Sequence, residues 1–214
     1  MIVILLGPPG VGKGTQAKLL CDKLGFRHVA TGDLLRAAKR EGTELGRRAQ
    51  AFMDRGELVP DDVIIAMVEE LLGALDPEVG VVLDGFPRTV PQAEALAEAL
   101  ARMDRKVDRV LVLTAPDEVL VKRITGRRSC PACGSVYNVH FSPPRQDGEC
   151  DRCGAGLSHR ADDTPETVQN RLDVYREQTE PLVAFYSSGE APVISVDGDQ
   201  SVDGVQAELA SAVA

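Results

Sequence analysis

The first twenty residues, MIVILLGPPGVGKGTQAKLL, leave few folds open to this chain. The run IVILL is apolar and too short for a helix, so it reads as a buried strand. Gly7, Pro8, Pro9, Gly10 and Gly12 crowd into one turn, and from Lys13 the pattern becomes helical. A strand that enters a helix through such a turn points successive backbone N–H groups into one concavity, backed by the positive end of the helix dipole. That is phosphate-binding chemistry, and Gly7 through Lys13 match the P-loop pattern G-x-x-x-x-G-K. Lys13 would reach the outer phosphates as a point charge. One position departs from the pattern: Gly14 stands where a magnesium-binding hydroxyl is usual, and the hydroxyl comes one place later, at Thr15. Metal would then be held by phosphates and water. A glycine-rich turn that binds nothing is the bland alternative, and the flanking strand and helix oppose it.

Apolar runs recur at VGVVLDGF and RVLVLTAP, and more weakly at FRHVA and APVISVDG. Helical patterns lie between them, over Thr89 to Met103, Pro116 to Arg127 and Thr164 to Ser187, the last with Thr164 as N-cap and Pro165 at the first helical position. Strands alternating with helices predict an α/β chain: a P-loop three-layer fold on a roughly five-stranded parallel sheet. Two stretches break the alternation. Residues 30 to 72 are helical without a strand, and 128 to 160 hold cysteines, prolines and glycines without a helical period. Both read as insertions.

The chain of 214 residues carries a net charge of −9, which opposes nonspecific nucleic-acid binding and requires any anionic substrate to be met by a local group of cations. Lys13, Arg36, Arg88, Arg123, Arg127, Arg160 and Arg171 are the candidates. Arg123 and Arg127, four apart in the predicted helix, would share a face. No apolar run approaches the ~18 residues of a membrane span. The opening run lacks a basic leader, so a reducing cytoplasm is expected, where disulfides are rare.

Cys130-x-x-Cys133 and Cys150-x-x-Cys153, sixteen residues apart, have the spacing of a zinc site. Four cysteine ligands leave no open position, so the metal would be structural; a disulfide arrangement is the alternative that the compartment disfavours. The surrounding loop has only Val136, Val139, Phe141 and Leu157 as sizeable apolar groups, too few to hold itself together, and zinc would be its staple. His140 and His159 read as bystanders and Cys21 as a core residue.

The P-loop variant, TGDLLRAA from Thr31, DGFPRTVPQAEAL from Asp84, GRR from Gly126, HRADDTPETVQNRL from His159 and VDGDQ from Val196 together resemble the adenylate kinase family along essentially the whole chain, in its zinc-bearing long-lid type. The resemblance implies reversible phosphoryl transfer between ATP and AMP, giving two ADP, with magnesium entering with ATP. It implies a core of 1–29, 60–125 and 164–214, an AMP-binding insertion at 30–59 and a zinc-bearing lid at 126–163. On the ATP side it implies Gly10, Val11, Gly12, Lys13, Gly14, Thr15, Arg127, Val136, Tyr137 and the backbone at Gln200. On the AMP side it implies Thr31, Arg36, Glu57, Leu58, Val59, Gly85, Phe86, Pro87, Arg88 and Gln92. Arg160 and Arg171 would bridge the reacting phosphates, Lys13, Arg88 and Arg123 would join them in catalysis, and Asp84 would orient magnesium-bound water unless it is only a turn carboxylate. Asp162 and Asp163 would act in the closed lid. A kinase for UMP or CMP, and an ATP-switched zinc-ribbon nucleic-acid binder, are the competing readings; the long lid and Gln92 oppose the first, charge and 4% aromatic content the second. The expected partners are nucleotides alone, with no nucleic acid or membrane, for a monomer.

Overall fold

The computed structural model describes residues 1–213. Five parallel strands form the central sheet: β1 (Ile2–Leu6), β2 (Arg27–Ala30), β3 (Val81–Asp84), β4 (Arg109–Thr114) and, after a small hairpin of β5 (Arg127–Ser129) and β6 (Val136–Asn138), β7 (Val193–Asp197). Their order across the sheet is β2-β3-β1-β4-β7. The helices are α1 (Lys13–Leu24), α2 (Thr31–Arg40), α3 (Glu44–Arg55), α4 (Asp61–Gly73), α5 (Val90–Arg102), α6 (Asp117–Thr125), α7 (Pro165–Val174), α8 (Pro181–Ser187) and α9 (Val202–Val213).

Strand β1 shows why the sheet is covered twice. All five of its residues are buried. Successive side chains point to opposite faces, so Ile2, Ile4 and Leu6 pack with Val68 and Leu72 of α4, Leu96 and Leu100 of α5 and Leu182 of α8. Val3 and Leu5 pack on the other side with Leu20 of α1, Ile124 of α6, Leu172 of α7 and Leu209 of α9. Burying each such side chain stabilises the fold by about 1.5–3 kcal/mol.

The register determines what the sheet presents at its carboxyl edge. Leu5 lies opposite Asp84, and Ala30 lies opposite Asp84 from the other neighbour. The turn after β1, Thr31 after β2 and Asp84 at the end of β3 therefore emerge side by side, at the edge where ligands bind in open α/β sheets.

Two local expectations are corrected. The helix predicted from Pro116 to Arg127 stops at Thr125, so Arg127 stands on β5 and does not share a helical face with Arg123. Asn138 of β6 donates its Nδ2 to the Arg123 carbonyl at 2.8 Å, capping the helix end from the hairpin. The helix predicted from Thr164 to Ser187 is broken by a π turn over Tyr175–Thr179. Pro181 has no N–H to give and its ring displaces the carbonyl four residues back; the Glu180 N–H instead reaches the Tyr175 carbonyl at 2.8 Å. Thr164 is the N-cap as expected, accepting from the Thr167 N–H.

Candidate active site

Lys13 opens α1, and Gly12 in the left-handed region (φ 109°) caps it. No side chain caps this helix and no acid occupies its first turn, which leaves its amides and dipole for an external anion. Gly10 (φ 85°) and Gly12 both need the left-handed backbone, and Gly10 is also required for space. A Cβ on Gly10 would lie 2.6 Å from Ile124, so the loop could not approach α6; a Cβ on Gly12 would meet nothing, and only its φ excludes other residues. The Lys13 ammonium folds over the turn, donating to the carbonyls of Gly7 at 2.6 Å and Pro8 at 2.9 Å. Burial lowers Lys13 to about 8 from the usual 10.5, against the attraction of Asp84.

The Thr31 hydroxyl donates to the Gly85 carbonyl at 2.8 Å, and Arg88 Nε donates to the same oxygen at 2.8 Å. Burial, with Arg171 adding like charge, lowers Arg88 to about 10. Asp84 lies against the P-loop, 3.3 Å from where a Gly14 Cβ would stand, and His28 Nε2 lies 3.3 Å from its Oδ2.

From the hairpin segment, Arg127 grips Asp163 through two nitrogens, Nε at 2.8 Å from Oδ2 and the other on Oδ1. Arg171 of α7 donates to both Asp162 and Asp163, and Asp163 is fully buried among them. Arg160 Nε donates to the Ser129 hydroxyl at 3.2 Å. Burial, then Arg127 and Arg36, lowers Arg160 to about 10. Arg123 donates to the Gly198 carbonyl at 2.8 Å and lies over the Phe141 ring, 5.7 Å from its centroid.

All seven candidate cations thus line one cavity of about 1560 Å³, bounded by the P-loop, both insertions and the ends of β3 and β7. Like charges held together out of water are costly unless anions share the space. Asp33, Asp84, Asp162 and Asp163 offset part of that cost, and polyphosphate is the ligand class that completes it. Val11, Thr15, Glu57, Leu58, Val59, Gly85, Pro87, Gln92, Val136 and Tyr137 also line the cavity. Gln200 does too, with its side chain tied to the Asp197 carbonyl and Glu208, so its backbone is what it offers. Phe86 is different: its ring is fully buried in the core beneath the cavity.

Cys130 and Cys133, between β5 and β6, converge with Cys150 and Cys153 from beyond the hairpin. Their sulfurs all lie within 4.8 Å of one another, the closest pairs at 3.5 Å. A tetrahedral shell with zinc–sulfur bonds of about 2.3 Å has edges of about 3.8 Å, so the set fits. Each pair sits on the same kind of turn: Gly134 donates to the Cys130 carbonyl and Gly154 to the Cys150 carbonyl, both glycines near φ +70°. The Tyr137 hydroxyl beside Cys150 holds that thiol below its usual range and also accepts the Asp151 N–H at 2.9 Å. Among the described residues none of the cysteines is in a disulfide, and no helix is long and apolar enough to cross a membrane.

Sequence reasoning missed His28 on Asp84, Phe141 under Arg123 and Asp61 behind Gln92, each joined to its partner only by the fold. Only Gln92 carried a signal, since Thr89-x-x-Gln92 has the form of a helix capping box.

A family model described as adenylate kinase matches residues 5–191. The adenylate kinase of Archaeoglobus fulgidus is 49% identical over 209 residues, covering 98% of this chain and 96% of the relative. That of Methanosarcina acetivorans is 51% identical over 214 residues, covering 100% and 99%, and that of Thermodesulfovibrio yellowstonii is 52% identical over 203 residues, covering 95% and 94%.

Proposed function

The chain belongs to the adenylate kinase family and reversibly transfers the terminal phosphoryl group of ATP to AMP, giving two ADP; we propose that the cavity residues divide this work as follows. The observation that carries the assignment is the convergence of seven cations from the core and both insertions on one cavity. Phosphoryl transfer asks little covalent chemistry of a protein; it asks for two nucleotides held in line and for charge stabilised as it spreads over the moving group.

Residues 10–15 cradle the ATP phosphates, with Lys13 on the outer ones, while Arg127, Val136, Tyr137 and the Gln200 backbone line the ATP side. Thr31, Arg36, Glu57 to Val59, Gly85, Pro87, Arg88 and Gln92 line the AMP side. Arg88 holds the AMP phosphate, and Arg123, Arg160 and Arg171 face the transferring group. The segment 30–59 closes over AMP and 126–163 over ATP, on a core of 1–29, 60–125 and 164–214, excluding the water that would hydrolyse ATP. Phe86 serves from beneath, through packing. We read the protein as a cytoplasmic monomer.

Asp84 and Thr15 bear on the metal. The Asp84 carboxylate lies against the P-loop, a fitting acceptor for the hydrogens of magnesium-bound water, whereas Thr15 is exposed at the first turn of α1. Magnesium, entering with ATP, would supply positive charge to the phosphates, with Asp84 accepting from its bound water. Asp84→Ala is therefore expected to raise the magnesium requirement and lower turnover more than Thr15→Ala does. A magnesium titration giving the reverse order overturns the water-mediated scheme. The four-cysteine set fits zinc, which supplies a covalent cross-link for the lid and no open position for chemistry.

Arg88→Lys tests the AMP side. Lysine keeps the charge and loses the planar fork that grips a phosphate through two bonds. The expected result is a rise of about tenfold or more in KM for AMP, with KM for ATP changed far less, in line with the loss of a charge-assisted bond. Equal losses for both nucleotides in steady-state kinetics overturn the assignment.

A further inference from the structure

Gln92 sits at the third position of α5, and its N–H is accepted by the Thr89 hydroxyl at 3.3 Å, half of a capping box. In the full motif the glutamine side chain would turn back to the Thr89 N–H. Here it does not. Gln92 Oε1 accepts the Arg88 N–H at 2.7 Å, and its Nε2 donates to Asp61 Oδ1 at 2.6 Å. The second Asp61 oxygen accepts the Thr89 hydroxyl at 2.9 Å. Asp61 opens α4, where the helix dipole favours a carboxylate.

These partners leave no ambiguity about which way the Gln92 amide points. A carboxylate only accepts and a backbone N–H only donates, so the NH₂ end must face Asp61 and the oxygen must face Arg88. Inverting the amide would set oxygen against carboxylate and NH₂ against N–H. Gln92 is 2% exposed, so water cannot take over these bonds. One N–H and one lone pair remain on the amide, in a fixed order, on a residue that lines the cavity.

That order matters for a purine. Along its pairing edge a 6-aminopurine offers a donor at N6 and then an acceptor at N1; a 6-oxopurine offers an acceptor at O6 and then a donor at N1. An amide locked one way pairs with the first and opposes the second, and an amide free to invert serves both. We propose that Asp61 is a positioning residue that locks the Gln92 amide and thereby makes the monophosphate site selective for a 6-aminopurine over a 6-oxopurine. This rests on the reading that Gln92 faces the AMP base.

The test uses the full chain with ATP as donor and AMP or inosine monophosphate as acceptor, comparing kcat/KM for the two. Inosine monophosphate has the inverted edge and no further substituent on the base. Asp61→Asn keeps size and helix position but can present either a carbonyl or an NH₂ to Gln92, so it removes the carboxylate half of the lock and leaves the Arg88 N–H alone to oppose inversion. The expected result is a fall of about tenfold or more in the AMP-to-inosine ratio, arising from a gain with inosine monophosphate while AMP is largely retained. Asp61→Ser, equally able to donate or accept, gives the same readout if the asparagine variant folds poorly. Any unfolded fraction cancels in a ratio taken on one preparation, so general damage leaves the ratio where it was, and that result overturns the proposal. Gln92→Ala separates the two layers. A collapsed ratio there with an unchanged one in Asp61→Asn retires the role of Asp61 alone. An unchanged ratio in Gln92→Ala removes Gln92 from the base and the inference with it.

Discussion

Lys13→Met lowers turnover by about 10²–10³ while leaving the melting temperature nearly unchanged, the usual cost of removing one preorganised charge from a transferring group. The side chain is positioned for this and little else. Its ammonium rests on the carbonyls of Gly7 and Pro8, inside the turn that caps α1, and it takes no part in either hydrophobic cluster. A second readout follows from its environment. Burial lowers Lys13 from 10.5 to about 8, so between those values the nucleotide-free protein holds this proton only in part. ATP brings anionic oxygens to the ammonium and favours its charged form, so binding in that window draws a proton from the buffer. Calorimetry in two buffers of different ionisation heat measures the uptake, which should grow from pH 8 towards about 9, below the range where Arg88 and Arg160 also give up protons, and be largely lost there in Lys13→Met. A variant with wild-type turnover and unchanged proton uptake would sink the placement of Lys13 on the phosphates.

The parts of this molecule that were legible in the sequence are those encoded by neighbours. The P-loop is a run of adjacent residues, each cysteine pair spans four positions, and β1 is a continuous apolar stretch. The parts that were not legible depend on residues brought together from afar. Asp163, expected to act in the closed lid, finds its partner Arg127 across 36 positions, Asp61 meets Gln92 across 31 and His28 meets Asp84 across 56. Nothing local distinguishes such an aspartate from a solvated one. Strands β5 and β6, three residues each, are too short to show alternation, so the sequence pattern runs the preceding helix on to Arg127. The π turn is the local change of pitch that Pro181, lacking an N–H, imposes on a sequence that otherwise reads as one continuous helix. The first correction alters how Arg127 is carried, the second leaves Arg171 on α7, and neither changes the set of arginines at the cavity.

The cysteine cluster is where local and distant effects meet, and it carries the second large effect. One zinc per chain should co-purify, and Cys150→Ser should lose the metal and lower the melting temperature together. The hairpin has little else to hold it. Val136, Val139 and Phe141 are all exposed, so the apolar core that would replace a lost cross-link is missing. A loss of ~2 kcal/mol corresponds to roughly 4–8 °C for a chain of this length. The consequence for activity runs through named contacts. Tyr137 lines the cavity while its hydroxyl rests on Cys150 and the Asp151 N–H, and Arg160 is tied to Ser129, one residue from Cys130. When the cluster opens, these lid groups lose their positions, but Lys13, Arg123 and Arg171, held by the P-loop, α6 and α7, keep theirs. Turnover at low temperature should therefore survive in part and fail on heating well before the parent does. Metal analysis beside activity at two temperatures measures this. A zinc-free variant that melts with the parent and matches it at both temperatures would show that the lid holds together by other means, and the small exposed apolar set leaves no obvious candidate for them.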